Sequence, residues 1–189
     1  NHGESWNEEN ESSLNLYYYI NSSVLRQNFF NNKLFPSIID SVNLTNIFIT
    51  YDLDVISDPN QGIHIFATVV PISGNAIYPA IDSSSGIYHF FSDDPSIDNN
   101  WEVNFITSLQ TSFMYEENWK RIYPSAAISI DNNNIMYVSY MAISDTSLDN
   151  FNYDIFITQS KNKGKTWSEP KNLTNSTNQD EMYPQLAKK

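Results

Sequence analysis

Groups that titrate, bind metals or attack carbonyls are few in this chain, and they are poorly clustered. Its three histidines, His2, His64 and His89, lie far apart in sequence. His64 and His89 fall in strand-like segments of different repeat units, where they could meet as metal ligands. A hydrogen-bonded or exposed pair of strand histidines is the favoured reading, and no metal site is expected. Two acidic clusters, Asp52 with Asp54 and Asp58, and Asp93 with Asp94 and Asp98, could hold calcium through loop oxygens. They lack the tight alternating spacing and the glycine of a calcium loop, so solvated loops are expected. Tyr17-Tyr18-Tyr19 could form an aromatic platform for sugar, although tyrosines in a sheet are the commoner outcome. With no cysteine there is no disulfide, thiol nucleophile or thiolate zinc site. No cofactor is expected either.

The elements that must position these residues are set by composition first. A chain of 189 residues can bury a real core. Aromatics at 14% beside only 17% charged residues are too apolar for a disordered chain. A formal charge of -12 with ten Lys plus Arg cannot furnish the clustered cations that neutralise phosphates, so nucleic acid is not an expected partner. The same acidity disfavours anionic lipid surfaces. No apolar run approaches the roughly 18 residues that span a bilayer, so membrane insertion is not expected. Sequons at Asn10, Asn21, Asn43, Asn172 and Asn175 carry no weight in so Asn- and Ser-rich a chain. The start at Asn1 without Met suggests a mature, trimmed or excised part of a longer product.

A repeat runs through the chain. Leu34-Phe35-Pro36, Ile77-Tyr78-Pro79, Ile122-Tyr123-Pro124 and Met182-Tyr183-Pro184 recur with prolines 43, 45 and 60 residues apart, the range of four-stranded propeller blades. After each of the first three prolines comes a short apolar strand, a polar turn and a strand rich in Ile, Tyr, Phe and Val. The clearest copy is 126–130, the Asp131-Asn132-Asn133-Asn134 turn, then 135–140. The earlier copies are 37–40 with 46–51, and 80–82 with 86–91. Third strands are expected at 63–70, 101–107 and 153–159, with almost no helix. This divides the chain into a polar, poorly ordered lead (1–13), a part-blade (14–35), blades at 36–78, 79–123 and 124–183, and the first strand of a closing or further blade (184–189).

One segment carries a specific pattern: Ser160-Lys161-Asn162-Lys163-Gly164-Lys165-Thr166-Trp167, between the third and fourth strands of the best-preserved unit. It closely resembles the Asp-box, or bacterial neuraminidase repeat, of pattern Ser-x-Asp-x-Gly-x-Thr-Trp, with Asn162 in the Asp position. Ser92-Asp93-Asp94 with Trp101 resembles a decayed, longer box, and 21–28 a weaker trace. The resemblance implies an all-β, sialidase-like β-propeller, either a small ring of about four blades or part of a larger one. It implies that the box is a hairpin tip, with Gly164 in left-handed backbone, Ser160 and Asn162 bonded to the tip's amides, and Thr166 and Trp167 completing it. The box in this family is structural and faces away from the ligand, so it implies no catalysis.

The sialidases sharing this repeat grip a carboxylate with three arginines and use a Tyr/Glu pair with an Asp acid/base. This chain has two arginines, Arg26 and Arg121. Arg121-Ile122-Tyr123-Pro124 resembles the family's Arg-Ile-Pro segment with a Tyr inserted, which makes Arg121 and Tyr123 candidate ligand-binding residues. No catalytic residue is assigned. The expected function is a non-enzymatic extracellular or particle-surface module that binds a protein or glycan, or assembles with further copies of itself or with the rest of a longer chain. The alternative is a fragment of a sialidase-like glycosidase whose catalytic residues lie mostly elsewhere.

Overall fold

β-branched and aromatic runs punctuated by Asn, Asp and Gly favour strands joined by tight turns. The computed structural model follows that pattern. It describes residues 38–39, 42–43, 46–60, 62–73, 76–78, 80, 85–95, 100–115, 124–129, 134–145, 151–177 and 179–188. The lead at 1–13, the part-blade at 14–35, the Tyr17 to Tyr19 run, His2, Arg26, Arg121 and Tyr123 lie outside the described residues. So do Asp98, most of the 80–82 strand and most of the 131–134 turn.

The strands are β1 (Ile38–Ile39), β2 (Val42–Asn43), β3 (Asn46–Ser57), β4 (Ile63–Ser73), β5 (Ala76–Ile77), β6 (Gly86–Ser92), β7 (Glu102–Ser108), β8 (Ser125–Ser129), β9 (Ile135–Asp145), β10 (Asn152–Ser160) and β11 (Lys171–Asn172). The described residues contain one short helix, α1 (Gln110–Tyr115), whose first amide at Gln110 donates to the Ser108 hydroxyl at 3.2 Å. The protein is therefore all-β, and no helix among the described residues is long and apolar enough to cross a membrane.

Two antiparallel meanders dominate. The first has the order β3-β4-β6-β7, with β5 folded back on β4, and the second has the order β8-β9-β10-β11. The second coincides with the unit expected from Pro124 onward. The first does not respect the boundary drawn at 78/79. Segments 63–70 and 101–107, read as third strands of successive blades, are the second and fourth strands of one sheet. The physical reason lies in Ile77-Tyr78-Pro79. Ile72 pairs with Ile77 and the Tyr78 amide donates to the Pro71 carbonyl at 2.9 Å, so Ile77 and Tyr78 run back along β4 and do not start a new sheet. β1 and β2 form a separate two-stranded hairpin.

Because side chains alternate across a strand, β4 and β6 each present a defined face. Register pairs Phe66 with His89 and Thr68 with Ile87, so His64, Phe66, Ile87 and His89 share one face. Phe66, Ile87, Ile106 and Leu109 pack in one core with Ala126, Met136, Val138, Tyr140 and Tyr153 of the second sheet. Tyr140 bridges the two sheets through a side-chain hydrogen bond with Thr107, and burial pushes its phenol up to about 12. The first strands also adjoin, since the Asp54 carboxylate on β3 accepts the Ala126 amide of β8 at 2.8 Å.

The C-terminal stretch was expected to begin a strand. It is instead an extended strap without a ladder, although it is anchored at both ends. Glu181 donates its amide to the Tyr153 carbonyl at 2.7 Å, Leu186 donates to the Ser125 hydroxyl at 3.0 Å, and Lys188 pairs with Asp54. Tyr183 adopts a left-handed φ of 59° and Pro184 has no amide to donate, so a regular ladder is interrupted there.

Candidate functional site

The 160–167 segment leaves β10 and closes into a tight bend. Two consecutive residues take left-handed backbone, Lys163 at φ 57° and Gly164 at φ 80°. The Ser160 hydroxyl donates to Asn162 Oδ1 at 2.9 Å and accepts the Gly164 amide at 2.9 Å. Asn162 Oδ1 also accepts the Thr166 amide at 2.9 Å, while Asn162 Nδ2 donates to the Thr166 hydroxyl at 2.8 Å. Trp167 Nε1 donates back to the Gly164 carbonyl at 3.0 Å. Asn in place of a carboxylate keeps the acceptor oxygen that the bend uses, and its amide supplies an additional donor. Every side chain singled out in this pattern thus takes part in holding the loop.

The bend is pressed against the first sheet. A Cβ placed on Gly164 would fall 2.1 Å from His89 Cε1 and 2.2 Å from His89 Nδ1, so no larger residue fits without moving a buried ring. Trp167 meets Phe66 and His89 edge-on, with ring centroids 5.9 Å apart in each case. The exposed positions of the bend are polar or cationic: Lys161, Asn162, Lys163, Lys165 and Thr166.

Beneath the bend, His64 and His89 are fully buried diagonal neighbours on β4 and β6. His64 Nδ1 and His89 Nε2 lie 2.8 Å apart and share one proton, and the rings stack with centroids 5.1 Å apart. The two strands belong to one sheet, which corrects their assignment to different units, and of the two arrangements expected, hydrogen-bonded or exposed, the rings are hydrogen-bonded and not exposed. His64 Nε2 faces Asp58 Oδ2 at 3.6 Å, and Lys163 Nζ approaches the same oxygen at 4.0 Å. Asp58 is fixed by its other oxygen, which accepts the amides of Asn60 and Gly62 at 2.8 Å each. Burial pushes His89 down to about 3, reinforced by His64 and opposed by the Gly164 backbone. Burial likewise lowers His64, with Asp58 opposing it and Lys163 adding to it. Both shifts favour the uncharged imidazole.

Asp58 also lines a cleft of about 490 Å³ between the end of β3 and β8, together with Val55, Ile56, Ala127, Ile128 and Lys188. The Asp52, Asp54 and Asp58 cluster is therefore not a set of solvated loop acids. Asp54 ties β3 to β8, and Asp58 sits beside His64; the side chain of Asp52 lies outside the described residues. The Asp58-Pro59-Asn60 turn with Gly62, two residues before a histidine, is the signal that could have exposed this grouping in the sequence. In the second cluster, Asp93 is exposed and accepts Asn100 Nδ2 at 2.6 Å, as a loop acid would. That loop joins the third and fourth strands of the first sheet, the position that the bend occupies in the second. Among the described residues no group of three or more His, Cys, Asp or Glu side chains could hold a metal ion.

Asp154 escaped notice in the sequence. It is 1% exposed on β10 and gathers Asn172 Nδ2 at 2.7 Å, the Thr174 hydroxyl at 3.0 Å and the Ser176 amide at 2.9 Å, pinning the chain that follows the bend. Burial pushes its carboxyl up, but the hydrogen bonds from Asn172, Ser176, Ser144 and Thr174 together outweigh that and leave it below its ordinary value.

No family model matches the sequence, and comparison with curated proteins gives no match. Among solved structures, the chain is similar to a protein of unknown function from Dyadobacter fermentans, with a TM-score of 0.36 and 15% sequence identity over 70% of this chain. The matched region spans 40% of that protein's length.

Proposed function

We propose that this chain is part of an Asp-box-type β-propeller and serves as a non-enzymatic extracellular or particle-surface module, presenting loops to a protein or glycan partner or to further copies of itself. The observation that carries the reading is the 160–167 bend. Its Ser160, Asn162, Thr166 and Trp167 side chains are all consumed in holding the loop shut, in the connection between third and fourth strands. Two four-stranded meanders packed face to face, with first strands β3 and β8 adjoining, support it as the arrangement of successive blades around an axis. Arg26 and Arg121 are two cations where the related hydrolases need three, which speaks for binding over glycoside cleavage.

The test is a panel of sialosides and other glycosides incubated with the purified chain at micromolar concentration. No release of sugar above the buffer control is expected across pH 4 to 8. Robust hydrolysis of any member would overturn the proposal. Oligomeric mass in solution separates the two forms of binding: a single defined oligomer supports assembly through copies, and a monomer that is retained on glycans or a protein partner supports recognition.

A further inference from the structure

The buried histidines are not explained by a scaffold role, because two apolar residues would fill the same space without hydrogen-bonding demands. We infer that His64 and His89 form an acid-sensitive latch between the two sheets, whose protonation releases the 160–167 bend from the first sheet while both strand ladders persist. The inference stands on distances at the pair and does not rest on the propeller reading.

The argument is geometric. The imidazoles share one proton across 2.8 Å, so a second proton at that contact places two donors face to face. His89 cannot retreat through the bend, because Gly164 lies against its ring, nor through the stacked Phe66. The charged groups facing the pair among the described residues are Asp58, from the β3 to β4 turn, and Lys163, from the bend. Asp58 can neutralise a charge on His64 but not on His89, whose other nitrogen faces the Gly164 backbone. The bend is the element free to move: its tip is exposed, and Gly164 and Trp167 are its contacts with β4 and β6.

The sign follows from the lowered proton affinity of both rings in the closed form. An opened bend returns them toward the ordinary histidine value near 6.5. The closed form is therefore fully favoured above about pH 6.5 and loses ground as pH falls toward the closed-state values. For a single histidine, opening should increase about 25-fold between pH 7 and pH 5.

Hydrogen exchange of the full chain tests this. The protection factor of the Gly164 amide, buried against His89, is expected to fall at least about tenfold from pH 7 to pH 5. Amides of the β9 and β10 ladder should fall far less. His89→Gln should weaken the pH dependence at the bend, leaving only the contribution of His64. An imidazole NMR titration of the unaltered chain guards against that variant failing to fold, and both rings should stay neutral until the bend opens. The latch is overturned by constant protection at the bend, by ladder amides that fall in step with it, by a pH dependence that is undiminished in His89→Gln, or by either ring titrating near 6.5 with the bend still protected.

Discussion

Gly164→Ala is expected to lower unfolding free energy by about 4 kcal/mol, read as a shifted urea midpoint at unchanged slope. Left-handed backbone at φ 80° costs an alanine about 1 to 2 kcal/mol. The remainder comes from forcing a methyl carbon into the space of the His89 ring, which is buried and stacked against Phe66, where overpacking costs roughly 1 to 3 kcal/mol. Lys163→Gly is the control. Lys163 also has left-handed backbone, at φ 57°, but its side chain is exposed, so glycine there should be neutral or stabilise by up to about 1 kcal/mol. A loss below about 1 kcal/mol for Gly164→Ala would mean that the bend does not touch His89.

Asp154→Ala is expected to cost about 3 kcal/mol at pH 7. Four donors, from Asn172, Thr174, Ser176 and Ser144, converge on one buried carboxylate, and hydrogen bonds to a charged acceptor are worth about 1.5 to 3 kcal/mol each where water is excluded. Thr174 and Ser176 are partly or largely exposed and can turn to solvent, which holds the total below the sum. Because the folded carboxyl is held below its ordinary value near 3.9, its contribution is present above that pH and is lost as pH falls through the folded value. The unaltered chain and Asp154→Ala should therefore converge in stability at strongly acidic pH. Equal stability at pH 7 would show that the 172–176 segment is held by other means.

The parts of this structure legible from the residues alone are those fixed by local chemistry. Strands at 135–140 and 153–159 announce themselves by β-branched and aromatic composition, and they extend in the structure only by a few residues at their ends. The turn between them and the preceding strand shows its left-handed residue in Asn134, at φ 57°. The 160–167 bend was legible residue by residue, because each of its hydrogen bonds is closed within eight positions. What depended on long-range pairing was not. Ile77-Tyr78-Pro79 looks like Ile122-Tyr123-Pro124, yet Pro79 follows a fold-back onto β4 while Pro124 precedes the first strand of a new sheet. Nothing local distinguishes them. The contact of His64 with His89 spans 25 residues and depends on the register of β4 against β6, where a one-residue slip would turn the rings to opposite faces. Asp154 was invisible for the same reason, since its partners lie 18 to 22 residues further on.

The pairing also explains why the bend and the core beneath it form a single device. Ser160 and Asn162 shape a loop that could exist on any hairpin, whereas Gly164 and Trp167 give that loop a docking face matched to His89 and Phe66. Cross-sheet contact at the bend complements Tyr140 with Thr107 and Asp54 with Ala126, so the two meanders are joined at several separate points.

The central claim is that the bend joins the sheets through direct contact between Gly164 and His89, and a double-mutant cycle measures that contact. His89→Ala removes the ring that an added methyl would strike, leaving room for it. The account predicts that Gly164→Ala costs at least about 1 kcal/mol less in the His89→Ala background than in the unaltered chain, the residue being the backbone term at φ 80°. Costs that add within about 0.5 kcal/mol would contradict it, since residues out of contact do not couple.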